Sequence, residues 1–126
     1  MNVIDSSGWL EYFGGGPNAE FFASAMKSTE ELVVPSISLY EVFKRTLVQR
    51  GRNRALEAAA IMKQGLIANL NETVALAAAK LSVESKLSMA DCIMLATARA
   101  FGAVLWTQDA DFEGIDGVRY VPARHD

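Results

Sequence analysis

The chain has 126 residues, of which 51% are hydrophobic, and its 12 basic and 15 acidic side chains give a net charge of −3. This length suits a single domain, 1–126, and the acidic balance argues against a nonspecific nucleic-acid coat, which neutralises phosphates with many Lys and Arg. Charged residues interrupt every apolar stretch before the roughly 20 residues that a membrane span needs, and the N-terminus lacks a signal peptide, so we expect a cytoplasmic protein.

The first half of the chain predicts two short strands among helices. The apolar pair Val3-Ile4 predicts a strand that ends at Asp5, and helical spacing follows over 9–13 and 18–27 on either side of a Gly-Gly-Gly-Pro break. The β-branched run 32–34 predicts a buried strand. Helices are predicted over 38–49 and 55–63, because Gly51 interrupts the apolar pattern between them.

The second half continues the same alternation. Residues 66–68 are a strand candidate, and the alanine-rich segments 73–85 and 88–101 predict two helices. Strands are predicted over 103–107 and 118–121, with a tight turn at 109–112. Short strands of the buried type, separated by helices, predict an α/β fold with a mainly parallel sheet covered on both faces.

Four acidic residues stand at the ends of these elements. Asp5 and Asp109 follow predicted strands, whereas Glu41 and Asp91 each stand three residues after a serine at a predicted helix start. Each has an ordinary local explanation as a helix cap, a capping box or a turn former. In a parallel α/β domain, however, such ends can meet at the carboxyl edge of the sheet, where ligands bind.

Carboxylates gathered at one edge repel one another, which raises at least one pKa unless a cation intervenes. Mg²⁺ or Mn²⁺ prefers oxygen ligands and commonly takes one or two carboxylates directly. Such a site suits phosphodiester hydrolysis. The single histidine, His125, is one residue from the C-terminus, so a histidine-dependent ribonuclease or a Ser-His-Asp hydrolase has no base available.

With these residues identified, the chain resembles the PIN-domain family, and within it the VapC-type toxins of VapBC toxin–antitoxin systems. The resemblance runs almost from end to end, and four blocks carry it in the right order and spacing. They are Val3-Ile4-Asp5-Ser6-Ser7 with Trp9-Leu10-Glu11-Tyr12-Phe13, Pro35-Ser36-Ile37-Ser38-Leu39-Tyr40-Glu41-Val42, Leu87-Ser88-Met89-Ala90-Asp91-Cys92-Ile93 and Leu105-Trp106-Thr107-Gln108-Asp109-Ala110-Asp111-Phe112. The resemblance implies a PIN-like fold with a central, mostly parallel, five-stranded sheet flanked by helices.

The resemblance also implies an activity and partners. The activity is a Mg²⁺- or Mn²⁺-dependent endoribonuclease that hydrolyses RNA, and the protein would be held inactive by a cognate VapB-like antitoxin. A homodimer or a toxin–antitoxin hetero-oligomer is the implied assembly. Among the site residues, Asp5 and Asp91 would be direct metal ligands, and Glu41 would complete the site or assist the water.

The resemblance implies supporting roles for the remaining site residues. Asp109 would act through water or hold a second ion, and Asp111 either supports the turn or competes with Asp109 for the fourth place. Ser6 and Thr107 would orient carboxylates by hydrogen bonding to them.

Five basic residues with no acid among them fall within 44–54. They form either a solvated helix face and turn or an edge that faces RNA. The candidate contacts to RNA or to an antitoxin are these five and one more basic residue: Lys44, Arg45, Arg50, Arg52, Arg54 and Arg99.

Two other functions compete with a ribonuclease. The first is a catalytically weak PIN module that acts mainly by binding RNA or a protein, which would be expected to have lost one or more carboxylates. The second is a metal-dependent nuclease for DNA or structured flaps, which would carry extra helical insertions. The chain keeps all four acids and has no room for such insertions.

Overall fold

The computed structural model describes residues 1–125, so the last residue of the predicted domain 1–126 lies outside it. Within this range the chain forms five strands and six α-helices, and none of these helices is long and apolar enough to cross a membrane. In chain order they are β1 (Asn2–Ile4), α1 (Ser6–Gly14), α2 (Ala19–Ala25), β2 (Val33–Pro35), α3 (Ser36–Arg50), α4 (Arg52–Met62), β3 (Leu66–Ala68), α5 (Glu72–Glu84), α6 (Met89–Ala100), β4 (Val104–Thr107) and β5 (Val118–Tyr120). The alternation confirms the α/β prediction.

The strands pair in parallel, but they do not form the continuous five-stranded sheet that was expected. Strands β1, β4 and β5 form one sheet in the order β1-β4-β5, and β2 pairs with β3 in a second one. One bridge, between Asn2 and Leu32, joins the two sheets. The sheets are divided because the strands are short and Pro35 of β2 has no N–H to donate to a neighbouring strand.

Helices cover both faces of the strands, as the buried character of the strands predicted. Successive residues of a strand point to opposite faces. Accordingly, Val3 and Leu105 pack with residues of α5 and α6, whereas Ile4 and Trp106 pack with residues of α1, α2, α3 and α4. Each fully buried side chain of this size contributes about 1.5–3 kcal/mol. The two half-cores therefore fix the strands between the two helical layers.

The first turn of α1 lies unusually close to β1 because residue 8 is a glycine. A Cβ atom at Gly8 would come within 2.6 Å of the Phe22 ring and 2.7 Å of the Ile4 side chain. The close approach brings the N–H of Gly8 to 2.9 Å from a carboxylate oxygen of Asp5. Core packing around Gly8 therefore positions the Gly8 N–H to donate to Asp5, the first candidate site residue.

Candidate active site

A cavity of about 580 Å³ opens at the carboxyl ends of the strands, between α1, α3 and α6. The four acids singled out in the sequence all line it, although they come from distant parts of the chain. Its lining residues are Asp5, Ser6, Ser7, Leu10, Tyr40, Glu41, Lys44, Arg45, Val48, Ser88, Asp91 and Asp109. The fold therefore places these carboxylates at the edge where ligands of parallel sheets bind.

Asp5 is the most deeply buried acid of the cavity, with 2% of its surface exposed. It stands between β1 and α1, and its carboxylate accepts hydrogen bonds from the Ser7 hydroxyl (2.8 Å), the Gly8 N–H (2.9 Å) and the Thr107 hydroxyl (2.6 Å). Burial raises the pKa of Asp5 to about 6, with a smaller contribution from the charge of Asp91, even though the three donors lower it. The carboxylate is thus held in place by donors but lacks a compensating positive charge.

Asp91 lies in the first turn of α6, where its N–H donates to the Ser88 hydroxyl at 3.2 Å. The helix cap predicted for Ser88 is therefore confirmed. The pKa of Asp91 is raised to about 6, mainly by burial and to a smaller extent by the negative charges of Asp109, Glu41 and Asp111, although the hydrogen bond with Ser88 lowers it. Two acids of the same cavity thus have perturbed pKa values of similar size.

Glu41 does not have the helix-start position that the sequence suggested. Helix α3 begins at Ser36, directly after Pro35, so Glu41 lies in the second turn and Ser38 is not its cap. The prediction of a capping box was wrong because Pro35 ends β2 and its fixed φ lets the helix begin at once. Glu41 instead accepts a hydrogen bond of 2.7 Å from the Ser6 hydroxyl on α1, which directs its carboxylate into the cavity.

Asp109 and Asp111 lie together rather than in alternative places. Carboxylate oxygens of Asp91, Asp109 and Asp111 all lie within 4.8 Å of one another. The 3-10 turn at Ala110–Phe112 produces this arrangement, because the Asp109 side chain accepts the N–H of Asp111 at 3.0 Å. Both acids after β4 therefore face Asp91 on α6.

This arrangement fits a hard divalent cation. Three carboxylate oxygens approach one another closely, and two acids of the cavity have pKa values raised to about 6. A dication among them would relieve the repulsion and favour the charged forms. Oxygen-only donors are the preference of Mg²⁺ and Mn²⁺, not of Zn²⁺ sites built from Cys and His.

The six basic candidates lie at several separate places in the structure. Lys44 and Arg45 line the cavity of the carboxylates. Arg50 and Arg54 line a separate small cavity beside Phe13, and Arg52 is exposed where α4 begins. Arg99 lies near the far end of α6 and donates to the carbonyl of Asp116 at 3.2 Å. The structure thus brings only two of the six basic candidates to the acids.

A buried amide side chain, that of Asn18, supports the loop after β4 and was not predicted from the sequence. Asn18 is 3% exposed, and its side-chain NH₂ donates to the side chain of Gln108 and to the carbonyl of Pro122, both at 2.9 Å. Its backbone N–H donates to Glu11 at 2.7 Å. Gln108 is the neighbour of Asp109. The only signal in the sequence was a polar residue after the Gly-Gly-Gly-Pro break, which does not show what that residue contacts.

Comparison with known proteins agrees with this geometry. A family model described as PIN domain matches residues 3–118. The chain belongs to the PIN-domain family. No protein of curated description matches its sequence significantly. The family match spans β1 to the start of β5, so it includes every acid of the cavity described above.

Several solved structures with the same fold are described as toxins, toxin–antitoxin complexes or VapBC proteins. A toxin–antitoxin complex from Klebsiella pneumoniae has 25% sequence identity and a TM-score of 0.78, covering 94% of this chain and 96% of that one. VapC20 of Mycobacterium tuberculosis, described as a toxin that cleaves the sarcin–ricin loop, has 19% identity and a TM-score of 0.77 over 92% and 95%. A DNA-bound VapBC of Salmonella typhimurium has 16% identity and a TM-score of 0.77 over 97% of each chain.

Proposed function

We propose that this PIN domain is the toxin of a VapBC-type system and acts as a Mg²⁺- or Mn²⁺-dependent endoribonuclease. The observation that carries the proposal is the convergence of carboxylates from distant parts of the chain. Asp5, Glu41, Asp91 and Asp109 line one cavity, and Asp111 has a carboxylate oxygen within 4.8 Å of those of Asp91 and Asp109. The VapC-type neighbours support the assignment to toxins. Because the chain and these neighbours cover almost all of each other, residues 1–126 would work as one domain.

In this proposal the acids have different roles in binding the cation. Asp5 and Asp91 bind it directly, Glu41 completes the site, and Asp109 and Asp111 hold a water or a second ion. The cation supplies charge stabilisation at the phosphate and makes a water more acidic. The four acids that line the cavity, with Asp111 next to two of them, would give the affinity for divalent ions that a less acidic site would lack.

Hydroxyl groups of the chain orient these acids. The Ser6 hydroxyl holds Glu41 at 2.7 Å, and the Thr107 hydroxyl holds Asp5 at 2.6 Å. Partners of this kind fix the direction of a ligand's lone pairs and keep it ready to bind. Lys44 and Arg45, on the same wall of the cavity, would attract the phosphate backbone of RNA and offset the negative charge of the acids.

RNA cleavage with defined variants tests the proposal. Purified protein free of any antitoxin should cleave cellular RNA with Mg²⁺ or Mn²⁺, and EDTA should stop the reaction. Asp91→Asn should abolish cleavage but leave the fold intact. Asp116→Asn is the matched control, since Asp116 is an exposed acid outside the cavity, and it should cleave like the wild type.

A catalytically weak PIN module is the competing function. Wild-type protein that binds neither Mn²⁺ nor Mg²⁺ and cleaves no RNA would establish that alternative and end the nuclease proposal. Divalent-dependent cleavage of DNA in preference to RNA would instead identify a metal-dependent nuclease for DNA or structured flaps. Ion binding and cleavage are measured separately. The absence of both points to the weak module, and a preference for DNA points to the other nuclease.

We further propose that a VapB-like antitoxin restrains the enzyme, in a homodimer or a hetero-oligomer. Exposed apolar side chains on α3 and α4 support a protein partner, among them Leu47 and Leu56. Co-expression with the product of the neighbouring reading frame should suppress both RNA cleavage and growth arrest. If that product neither binds the chain nor suppresses its activity, this part of the proposal is wrong.

A further inference from the structure

One wall of the acid cavity carries an aromatic ring that the proposed metal chemistry does not use. Tyr40 of α3 is 58% exposed and lines the cavity, one residue before Glu41. Trp9 and Phe22, by contrast, are fully buried in the core. An exposed ring at the edge of a candidate active site is therefore a feature that core packing does not explain.

Two cations lie next to this ring. Lys44 and Arg45 follow on α3 and line the same cavity. Residues four positions apart share one face of a helix, so Lys44 lies beside Tyr40 and Arg45 beside Glu41. The Lys44 ammonium lies over the Tyr40 ring, 5.7 Å from its centroid, which is within the range of a cation–π contact. The ring and the two cations thus line the same cavity as the carboxylates.

We propose that Tyr40 is a stacking platform for a nucleobase beside the scissile phosphate, and that Lys44 and Arg45 hold the adjoining phosphates of an unpaired RNA segment. This inference rests on the proposed ribonuclease function and adds to it a residue that contacts the substrate. A π-face next to positive charge is the combination with which proteins bind single strands without a sequence code. We refer to Tyr40, Lys44 and Arg45 as the α3 strip.

The α3 strip favours an unpaired strand for a physical reason. In an A-form duplex both faces of each base are covered by its neighbours, and the deep, narrow major groove excludes side chains. A base can stack on Tyr40 only after it has left that stack. The cavity volume of about 580 Å³ is that of a site for small molecules, so it has room for a nucleotide.

A protein partner is the other occupant that could cover Tyr40. The ring also borders an apolar groove between α3 and α4, together with Leu47 and Leu56. The observations favour RNA because Tyr40 shares its cavity with two cations and four carboxylates, a setting that suits a phosphodiester and a cation. Burial of Tyr40 by a protein is therefore the alternative that the experiment has to separate.

The kinetic test uses variants that differ in the ring alone. Tyr40→Phe keeps the π-face, whereas Tyr40→Leu keeps apolar bulk and helix propensity but has no ring. With single-stranded RNA in Mg²⁺, we expect Tyr40→Phe to match the wild type. Tyr40→Leu should raise KM by about 5- to 150-fold, the range for loss of one base–aromatic stack, with kcat nearly unchanged.

A matched control separates this effect from a general loss of surface aromatic rings. Phe101 is 38% exposed and directly follows the end of α6 that is opposite Asp91. Phe101→Ala should leave KM and kcat as they are in the wild type. A wild-type KM in Tyr40→Leu overturns the stacking proposal, and weaker binding of the antitoxin by that variant would then assign Tyr40 to a protein interface.

Photo-crosslinking tests the same contact without relying on cleavage. A random-sequence single-stranded RNA pool that contains 5-iodouridine is irradiated with the wild-type protein, and the modified residue is mapped by mass spectrometry. We expect the cross-link on Tyr40, and we expect a paired RNA of the same length to give none. Cross-links only at other residues overturn the proposal.

The two assays distinguish failure of this inference from failure of the proposed function. If the protein cleaves RNA but neither assay detects Tyr40, the enzyme stands and the stacking platform falls. If it cross-links through Tyr40 but cleaves nothing in Mg²⁺ or Mn²⁺, the platform stands and the ribonuclease proposal falls.

Discussion

The Thr107 hydroxyl donates a hydrogen bond of 2.6 Å to the Asp5 carboxylate, across 102 residues of sequence. The same oxygen accepts the N–H of Asp109 at 2.9 Å. Strands β1 and β4 bring these residues together, because their parallel register pairs Ile4 with Trp106, one residue before each partner. One hydroxyl therefore connects the acid after β1 to the acid after β4.

Replacement of Thr107 by valine tests this link. Valine has nearly the same shape but no hydroxyl, so Asp5 loses one of its three donors and the loop at Asp109 loses its acceptor. We expect a loss of about 10- to 100-fold in Mg²⁺ affinity or activity, as is usual when a group that orients a metal ligand is removed. Mg²⁺ titration of RNA cleavage measures it.

Thr107→Ser provides the control for that experiment. Serine keeps the hydroxyl and loses only a methyl group, so cleavage should stay close to that of the wild type. A valine variant with unchanged Mg²⁺ dependence would show that the hydroxyl does not position the acids.

The elements around Thr107 were predictable because local patterns determine them. Strand β4 is short, apolar and followed by a polar turn, and Asp5 follows a similar apolar pair. The order of acids along the chain, together with the rule that ligands bind at carboxyl ends of parallel strands, was enough to predict that they line one cavity. No side-chain contact was needed for that inference.

Other features were not predictable because they depend on contacts between distant residues. The division into two sheets depends on where Pro35, which has no N–H, lies relative to β1. The capping box at Ser38 looked as good in sequence as the one at Ser88, and only the early start of α3 after Pro35 distinguishes them. Asn18 carried no local signal of its contact with Gln108.

The raised pKa of Asp5 predicts a pH dependence of stability in the metal-free protein. Its pKa is about 6 in the folded state against 3.8 for an ordinary aspartate, so the folded state binds this proton more tightly than the unfolded chain. The free energy of unfolding therefore falls as the pH rises from 3.8 to about 6. The loss from Asp5 is about 3 kcal/mol and is complete above pH ~6. Asp91 contributes in the same direction.

Urea unfolding in EDTA between pH 4.5 and 8 measures this dependence. Asp5→Asn should weaken it and should unfold at higher urea than the wild type at pH 8, because it removes a buried charge. Asp116→Asn should keep the wild-type slope. Added Mg²⁺ should restore stability to the wild type above pH ~6. A variant Asp5→Asn with the full wild-type slope would contradict the assignment.

Asp109 and Asp111 allow a test of whether the fourth acidic place is shared. Both have a carboxylate oxygen within 4.8 Å of one from Asp91, so Asp109→Asn and Asp111→Asn should each weaken Mn²⁺ binding. Asp109→Asn should have the larger effect, because Asp109 also lines the cavity, whereas Asp111 is more exposed. Calorimetric titration with Mn²⁺ compares the two. Wild-type affinity in Asp111→Asn would assign Asp111 to the turn alone.

Asn18 provides a test of support from outside the cavity. Its side chain joins Gln108 to the carbonyl of Pro122 and accepts a hydrogen bond of 3.1 Å from Arg124. Asn18→Ala leaves these groups without their partner, which should cost about 1–3 kcal/mol of unfolding free energy. Because Gln108 precedes Asp109, we also expect weaker Mn²⁺ binding and slower RNA cleavage.

The control for Asn18→Ala is Ser24→Ala on the same segment. The Ser24 hydroxyl donates only to a carbonyl of its own helix, at 2.6 Å on the surface, so its loss should change neither stability nor cleavage appreciably. Urea unfolding and Mn²⁺ titration on both variants separate the two roles of Asn18. If Asn18→Ala is less stable yet binds Mn²⁺ and cleaves RNA like the wild type, then Asn18 supports the fold and does not position Asp109.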